Sequence, residues 1–285
     1  MIHFSKLVGT GNDFIFIDLM SDAAAGISQQ ERSHLAQKIC DRHLGVGADG
    51  LIFVEKNHDS EMLKWDFYNR DGSQAEFCGN AARCFGRWTY RNLKRIDLLF
   101  ESAIGEIKVS LRKQSDREQF VVQLHNLNAE PKEVDLKAKE LLAYKDVLHK
   151  MIKVYFINSG VPHFVCMSKA KLTQVEKNEL VGAFRFHASA GLAGANVSFL
   201  FGGETETFER GVEDFTLSCG TGVIAAAICI WKTKRAAEVH LHTPGGELRV
   251  EIVQAANEVV TKANLIGPAD FICEGQYMKA AIKLD

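Results

Sequence analysis

The chain has 285 residues, 46% of them hydrophobic and 25% charged, with a formal net charge of −2. That length supports one large domain or two of ordinary size, and the absence of any long Lys/Arg run argues against nucleic acid as a partner. The opening stretch MIHFSKLVGTGNDF does not read as a signal peptide, no apolar run is long enough to cross a bilayer, and seven irregularly spaced cysteines fit a reducing cytoplasm better than a disulfide framework.

Taken in order, the chain reads mostly as short strands between turn signals. NDFIFID (12–18) is the first, followed by a helical pattern, SQQERSHLAQKIC (28–40), with Ser28 as its cap. DGLIFVE (49–55) is a strand, and GNAARCFGRWTYRNL (79–93) is a helix that starts directly after Cys78. IKVSLR (107–112) and FVVQL (120–124) are strands. Residues 126–150 are charged, contain Pro131 and read as a linker, in part helical. KVYFI (153–157), HFVCM (163–167) and NVSFLF (196–201) are strands again. GTGVIAAAICIWKT (220–233) is a second helix starting directly after a cysteine, Cys219; being apolar all round, it is expected to be buried on every side. AEVHLHT (237–243) and ELRVEIV (247–253) complete the strands. Cys40, Cys84, Cys166, Cys229 and Cys273 read as small buried hydrophobes.

The two Cys-Gly steps belong to a longer repeat. Cys78-Gly79-Asn80 and Cys219-Gly220-Thr221 are offset by 219 − 78 = 141 residues, and the same offset maps SAIGEIKVSL (102–111) onto TPGGELRVEI (243–252). A looser echo links TGNDFIFI near the start with SGVPHFVCM near residue 160. The pattern is that of a duplicated domain: strands, a Cys-Gly turn into a buried helix, a Gly turn, more strands. The expected boundaries are 1–125, carrying Cys78, and 126–285, carrying Cys219, with residues from about 264 free to pack back on the first half.

A thiol at a helix start sees the positive end of the macrodipole, which lowers its pKa from about 8.5. The backbone N–H groups there also bind carboxylates, and the glycines allow close approach. One thiol on each face of an amino-acid α-carbon could remove a proton from one side and deliver one to the other, inverting the centre.

Beyond these residues, GTGNDF, DRHLGVGADG, FYNRDGSQAEFCGNAARC, GVPHFV, RFH…GANVSF, FERGVEDFTLSCGTG and TPGGEL occur in an order and spacing that resemble the cofactor-independent diaminopimelate epimerases. The resemblance covers nearly the whole chain. It implies an α/β (α+β) fold of two pseudo-symmetric domains, each a curved, mostly antiparallel sheet around a central helix, with the active site in the cleft between them. It also implies interconversion of LL- and meso-2,6-diaminopimelate on the lysine and peptidoglycan route, without pyridoxal phosphate or metal. Position by position, Cys78 and Cys219 match the proton-transfer thiols. Gly79, Asn80, Gly220 and Thr221 match the cradle for the α-carboxylate, and Asn12, Asn69, Asn196, Glu209 and Arg210 match substrate-holding positions, Arg210 facing the distal carboxylate. His163 and Glu209 match groups that tune the thiols.

The chain departs from the family pattern at Val161, where members often have Asn, at Gly50, often Gln, and at Phe215, usually Glu. Cys273 stands where some members have an aromatic tied to dimer contact, so a homodimer is left open. The partner expected from these readings is a small-molecule amino acid. The alternatives are a racemase of another amino acid on the same fold, a thiol redox or binding protein, and an isomerase with carboxylate bases. DRHLGVGADG lacks the GxxxxGK[ST] pattern of a phosphate loop and reads as a structural turn.

Overall fold

The computed structural model describes residues 1–21, 27–57, 62–103, 105–114 and 117–278. The chain divides into two compact units: Met1–Val122 together with residues from Gly267, and Gln123–Ile266.

The first unit opens on a hairpin of β1 (Ile2–Gly9) and β2 (Asn12–Asp18). Its turn residues, Thr10 and Gly11, both sit at positive φ, 49° and 90°, the backbone a tight hairpin of matching twist requires. Helix α1 (Gln29–Ile39) then crosses over to β3 (Gly50–Lys56), which pairs parallel to β2. Ser28 caps α1 as expected, and with Glu31 it forms a full capping box. β4 (Leu63–Asn69) returns antiparallel to β3. Helix α2 (Gly79–Leu93) follows, then β5 (Asp97–Ser102), parallel to β4, then β6 (Gly105–Gln114), antiparallel to β5, and β7 (Arg117–Leu124).

β2 is buried along both faces, which explains its near-continuous apolar run. Ile15 and Ile17 join Leu35, Ala36 and Ile39 of α1 in one core cluster. Phe16, pointing the other way, stacks on Phe85 of α2, beside Trp65 and Phe100.

The second unit repeats this plan. After β8 (Lys132–Glu133) and a helical turn α3 (Lys145–Leu148) come β9 (Met151–Asn158), β10 (Pro162–Ser168), helix α4 (Gln174–Phe184), β11 (Asn196–Phe201) and β12 (Glu204–Glu209). Short β13 (Asp214–Thr216) flanks β12; α5 (Gly220–Lys234), β14 (Glu238–Thr243), β15 (Gly246–Ala256) and β16 (Val259–Gly267) complete it. The pairings β9–β10, β10–β11, β11–β12, β12–β14 and β14–β15 run antiparallel, parallel, antiparallel, parallel, antiparallel. From β1 to β6 the sense of pairing is the same at every step. β17 (Asp270–Tyr277) pairs with β1, inside the first unit.

The repeat extends to capping and turns. α2 and α5 both have 15 residues and start 141 residues apart, and both end on a left-handed residue, Lys94 (φ 55°) and Arg235 (φ 56°). In the β5–β6 turn Ser102 Oγ donates to the Gly105 carbonyl at 2.8 Å; in β14–β15 Thr243 Oγ1 donates to that of Gly246, also at 2.8 Å.

Three expectations are corrected. Residues 126–150 are not a free linker: Leu141, Val147 and Leu148 pack into the core of the second unit with Leu180 and Phe184. Those apolar residues are scattered among charges, which hides them from a composition argument. α4 is an element for which the sequence carried no expectation: its amphipathicity is weak, although Thr173 and Glu176 form a capping box equivalent to that of α1. α5 is buried from Gly222 to Cys229, but Thr233 and Lys234 in its last turn are exposed. Cys40, Cys84, Cys166 and Cys229 are buried as expected; Cys273 is exposed, on β17.

Candidate active site

Each unit places one cysteine at the N-cap of its central helix. Cys78 (φ −146°, ψ 123°) and Cys219 (φ −110°, ψ 109°) are both extended, and neither helix has a side-chain cap. First-turn N–H groups at such a start can donate to an anion, with the helix dipole behind them.

Around Cys78 the neighbours are amides and a guanidinium. Gly9 ends β1 so close to α2 that a Cβ there would lie 3.0 Å from the Asn80 carbonyl and 3.2 Å from Cys84 Sγ. Asn80 is buried and donates through Nδ2 to Asn12 Oδ1. Asn12 Nδ2 donates in turn to Asp49 Oδ2 at 3.1 Å. Asp49 and Asp13 share Arg42, and Asp13 also pairs with Lys6 at 2.9 Å, so this carboxylate pair is matched by cations. Burial works against the Asp13 carboxylate, but the bonds from Arg42 and Lys6 prevail and hold its pKa below the usual value.

Cys219 stands in a different shell. It is 7% exposed, and its Sγ lies 3.4 Å from Thr221 Oγ1. Thr221 Oγ1 is 3.0 Å from His163 Nε2, and His163 Nδ1 is 3.1 Å from Ser198 Oγ. Asn196 settles the imidazole tautomer. Its Oδ1 accepts from the Arg210 backbone N–H at 2.8 Å, so its Nδ2 is the atom facing His163 Nε2, at 3.2 Å. Nε2 is then the acceptor, and the single proton of the neutral ring sits on Nδ1, donated to Ser198. Ser198 Oγ continues to Thr207 Oγ1 at 3.0 Å. His163 is fully buried, and burial, helped by the Arg210 charge, pushes its pKa down to about 3. Gly222 makes the packing possible: a Cβ there would meet Thr207 Oγ1 at 2.5 Å and Ser198 Oγ at 3.0 Å.

The Cys219 thiol does not follow the helix-start expectation. Burial raises its pKa well above the ordinary value, and the Glu209 carboxylate adds to the rise. Hydrogen bonds from Thr221 and the Gly222 N–H oppose the shift without cancelling it. Desolvation of the thiolate is the largest of these effects, and it keeps Cys219 protonated at neutral pH.

The chain belongs to the diaminopimelate epimerase family. The family model for diaminopimelate epimerase matches residues 4–126 and 155–272. A diaminopimelate epimerase of Hydrogenobaculum sp. (strain Y04AAS1) is 33% identical over 95% of this chain and 96% of its own length. One of Flavobacterium psychrophilum is 34% identical, over 94% and 97%. The fold is shared more widely: a phenazine biosynthesis protein of the PhzF family from Bacillus anthracis superposes with a TM-score of 0.71 over 97% of this chain and 99% of that one, at 11% identity. The chain is thus an isomerase of the epimerase kind, as its motifs imply.

Among the residues matched to the family motifs, Asn12 and Asn80 are joined in one hydrogen-bond chain beside Cys78. His163, Asn196, Thr221 and Cys219 are joined in another. Glu209 accepts from Thr216 Oγ1 and acts on Cys219 through its charge. Arg210 does not pair with its neighbour Glu209; its Nη1 donates to the Gly194 carbonyl at 3.2 Å, and it makes no ion pair among the described residues. Asn69 is exposed at the end of β4 and bonds within its own turn, donating to Ser73 Oγ at 3.0 Å.

Two departures from the family pattern have local causes. A Cβ on Gly50 would lie 2.6 Å from Phe67 Cε2 and 2.9 Å from the Tyr68 carbonyl, so no longer side chain fits this backbone. Phe215 packs edge-on to Phe208, centroids 5.4 Å apart, under the Lys177 ammonium. Ser198, Thr207, Thr10 and Arg83 also line the two helix starts. They escaped sequence reasoning because hydroxyls in strands and an arginine in a helix ordinarily read as surface residues.

Proposed function

We propose that the chain interconverts LL- and meso-2,6-diaminopimelate, on the route to lysine and peptidoglycan, with Cys78 and Cys219 as the two proton-transfer groups. The observation that carries this reading is the pair of thiols at equivalent N-caps of the two central helices, one in each repeat. Its chemistry asks for one sulfur on each face of the α-carbon. In one direction the Cys78 thiolate takes the α-proton and becomes S–H. The electron pair left on carbon spreads into the α-carboxylate, which the helix-start N–H groups of Gly79, Asn80, Gly220 and Thr221 stabilise. The Cys219 S–H then delivers its proton to the opposite face and is left as thiolate. In reverse the roles exchange.

Cys219 suits the donor role because burial and Glu209 keep its proton in place. The chain from Thr221 through His163 and Ser198 to Thr207 holds the start of α5 and its thiol in one orientation. Arg210 serves the distal carboxylate, for which a planar guanidinium without an ion-pair partner among the described residues is suited.

The test is turnover of LL-diaminopimelate beside a panel of other amino acids in heavy water, stopped early. Diaminopimelate should be inverted, with deuterium at the inverted carbon from the first turnover and recovered substrate mostly unlabelled. Early product rich in protium would remove the two-thiol mechanism. Turnover of another amino acid with diaminopimelate inert would leave the family and change the substrate.

A further inference from the structure

Arg83 lies in the first turns of α2 and is fully buried. A buried guanidinium ordinarily faces a carboxylate, because an uncompensated charge in a low-dielectric interior is costly. Here every partner is a neutral oxygen. Nη2 donates to Thr10 Oγ1 at 2.7 Å and Asn80 Oδ1 at 2.8 Å, Nε to the Pro268 carbonyl at 3.3 Å, and Nη1 to the Gly79 carbonyl at 3.5 Å. No ion pair involves it among the described residues. Burial pulls its pKa down to about 10, so it remains charged at neutral pH, and thiolate at Cys84 or Cys78 would favour that charge. Cys84 cannot supply the anion: burial raises its thiol far above the ordinary value.

The other groups packed on this end of α2 leave the guanidinium unmatched. Asp13, on β2, is held by Lys6 of β1 and by Arg42. β17 brings Asp270 near Cys84, and its Glu274 pairs with Arg91 on the last turn of the helix. β5 and β6 face α2 with Leu98, Phe100 and Val109, all buried and uncharged. In the second unit the position 141 residues on from Arg83 is Ile224, and the charge acting on that cysteine is the carboxylate of Glu209.

We propose that Arg83 is a positioning residue for the Cys78 thiolate: its buried charge, left without a carboxylate, favours the anion at the start of α2, while its bonds to Thr10 and Asn80 hold the Asn80–Asn12 amide chain in place. The two thiols are thereby set apart at rest, Cys78 as base beside a cation and Cys219 as acid beside an anion. This deepens the reading of Cys78 as a proton-transfer group and rests on it.

The experiment measures alkylation of each cysteine by iodoacetamide across the pH range, read by peptide mass spectrometry, with no substrate present, so it stands or falls apart from the choice of amino acid. In the unsubstituted protein the Cys78 profile should reach its plateau at lower pH than that of Cys219. Arg83→Met should move the Cys78 midpoint up by about one pH unit, which is about tenfold slower alkylation below it, and leave the Cys219 midpoint in place. Arg83→Lys should restore the Cys78 midpoint, and in the epimerase assay kcat should fall in Arg83→Met more than KM rises. An unchanged Cys78 profile in folded Arg83→Met overturns the proposal. Should that variant not fold, a Cys78 midpoint at or above that of Cys219 in the unsubstituted protein overturns it equally.

Discussion

The starts of α2 and α5 share a backbone and differ in chemistry. Both are Cys-Gly steps with an extended cysteine and no side-chain cap. Around Cys78 stand amides and Arg83; around Cys219 stand a neutral imidazole, three hydroxyls and a carboxylate. The strand pairings show where the difference arose. Asp13 and Asp49 sit just ahead of the parallel pair Phe14–Gly50, and the parallel pair His163–Asn196 sits just ahead of Phe164–Val197. At that place one unit carries two carboxylates matched by Arg42, and the other carries an imidazole and an amide. The backbone device of the repeat is the same, and the side chains next to it differ in sign: a guanidinium at the start of α2, a carboxylate acting on Cys219.

The largest effect expected from breaking this comparison is on turnover. Cys78→Ala and Cys219→Ala should each lower kcat by about 10²–10⁴-fold, the usual worth of a positioned acid or base, with circular dichroism unchanged. Single variants of comparable, near-native activity would show that the equivalence of the two N-caps is structural.

A second expectation sharpens the contrast through pH. His163 is neutral when folded, with a pKa of about 3 against an ordinary 6.5. Between those values the unfolded chain binds the extra proton, so stability is fully present above about pH 6.5 and declines as the pH falls toward 3. His163→Asn removes this group and should flatten the slope of stability against pH over that window, measured by urea denaturation, although its hydrogen bonds to Ser198 and Thr221 are lost. An equally steep slope in the variant would assign the acid sensitivity to other groups.

The smallest effect concerns the outer helices, where the repeat is most faithful. Ser28→Ala in α1 and Thr173→Ala in α4 each remove one half of a capping box and should each cost about 1 kcal/mol. Both variants should keep full epimerase activity. A loss in one unit several times that in the other would show that the two boxes are alike in form alone.

Much of this was legible in the sequence. The two Cys-Gly steps, 141 residues apart, located the starts of both central helices, because a Cys-Gly start, an apolar run and a Gly turn are local signals that survive without tertiary context. The N-cap of α1 was readable from Ser28. The family motifs named the residues that the structure joins beside each thiol, Asn12 with Asn80 and His163 with Asn196 and Thr221. Asn69 was matched by motif, and its side chain bonds Ser73 within its own turn.

What tertiary structure alone decided is electrostatic. By sequence, both cysteines are thiols at helix starts and both should be acidified by the dipole. Whether they are depends on burial, which removes the solvent that stabilises a thiolate, and on where charges come to lie in space: the Glu209 carboxylate acts on Cys219, and Arg83 is fixed at the start of α2 by bonds to Thr10 and Pro268, both far away in the chain. Desolvation and charge separation fall off with distance in space, a quantity the linear order of residues does not contain.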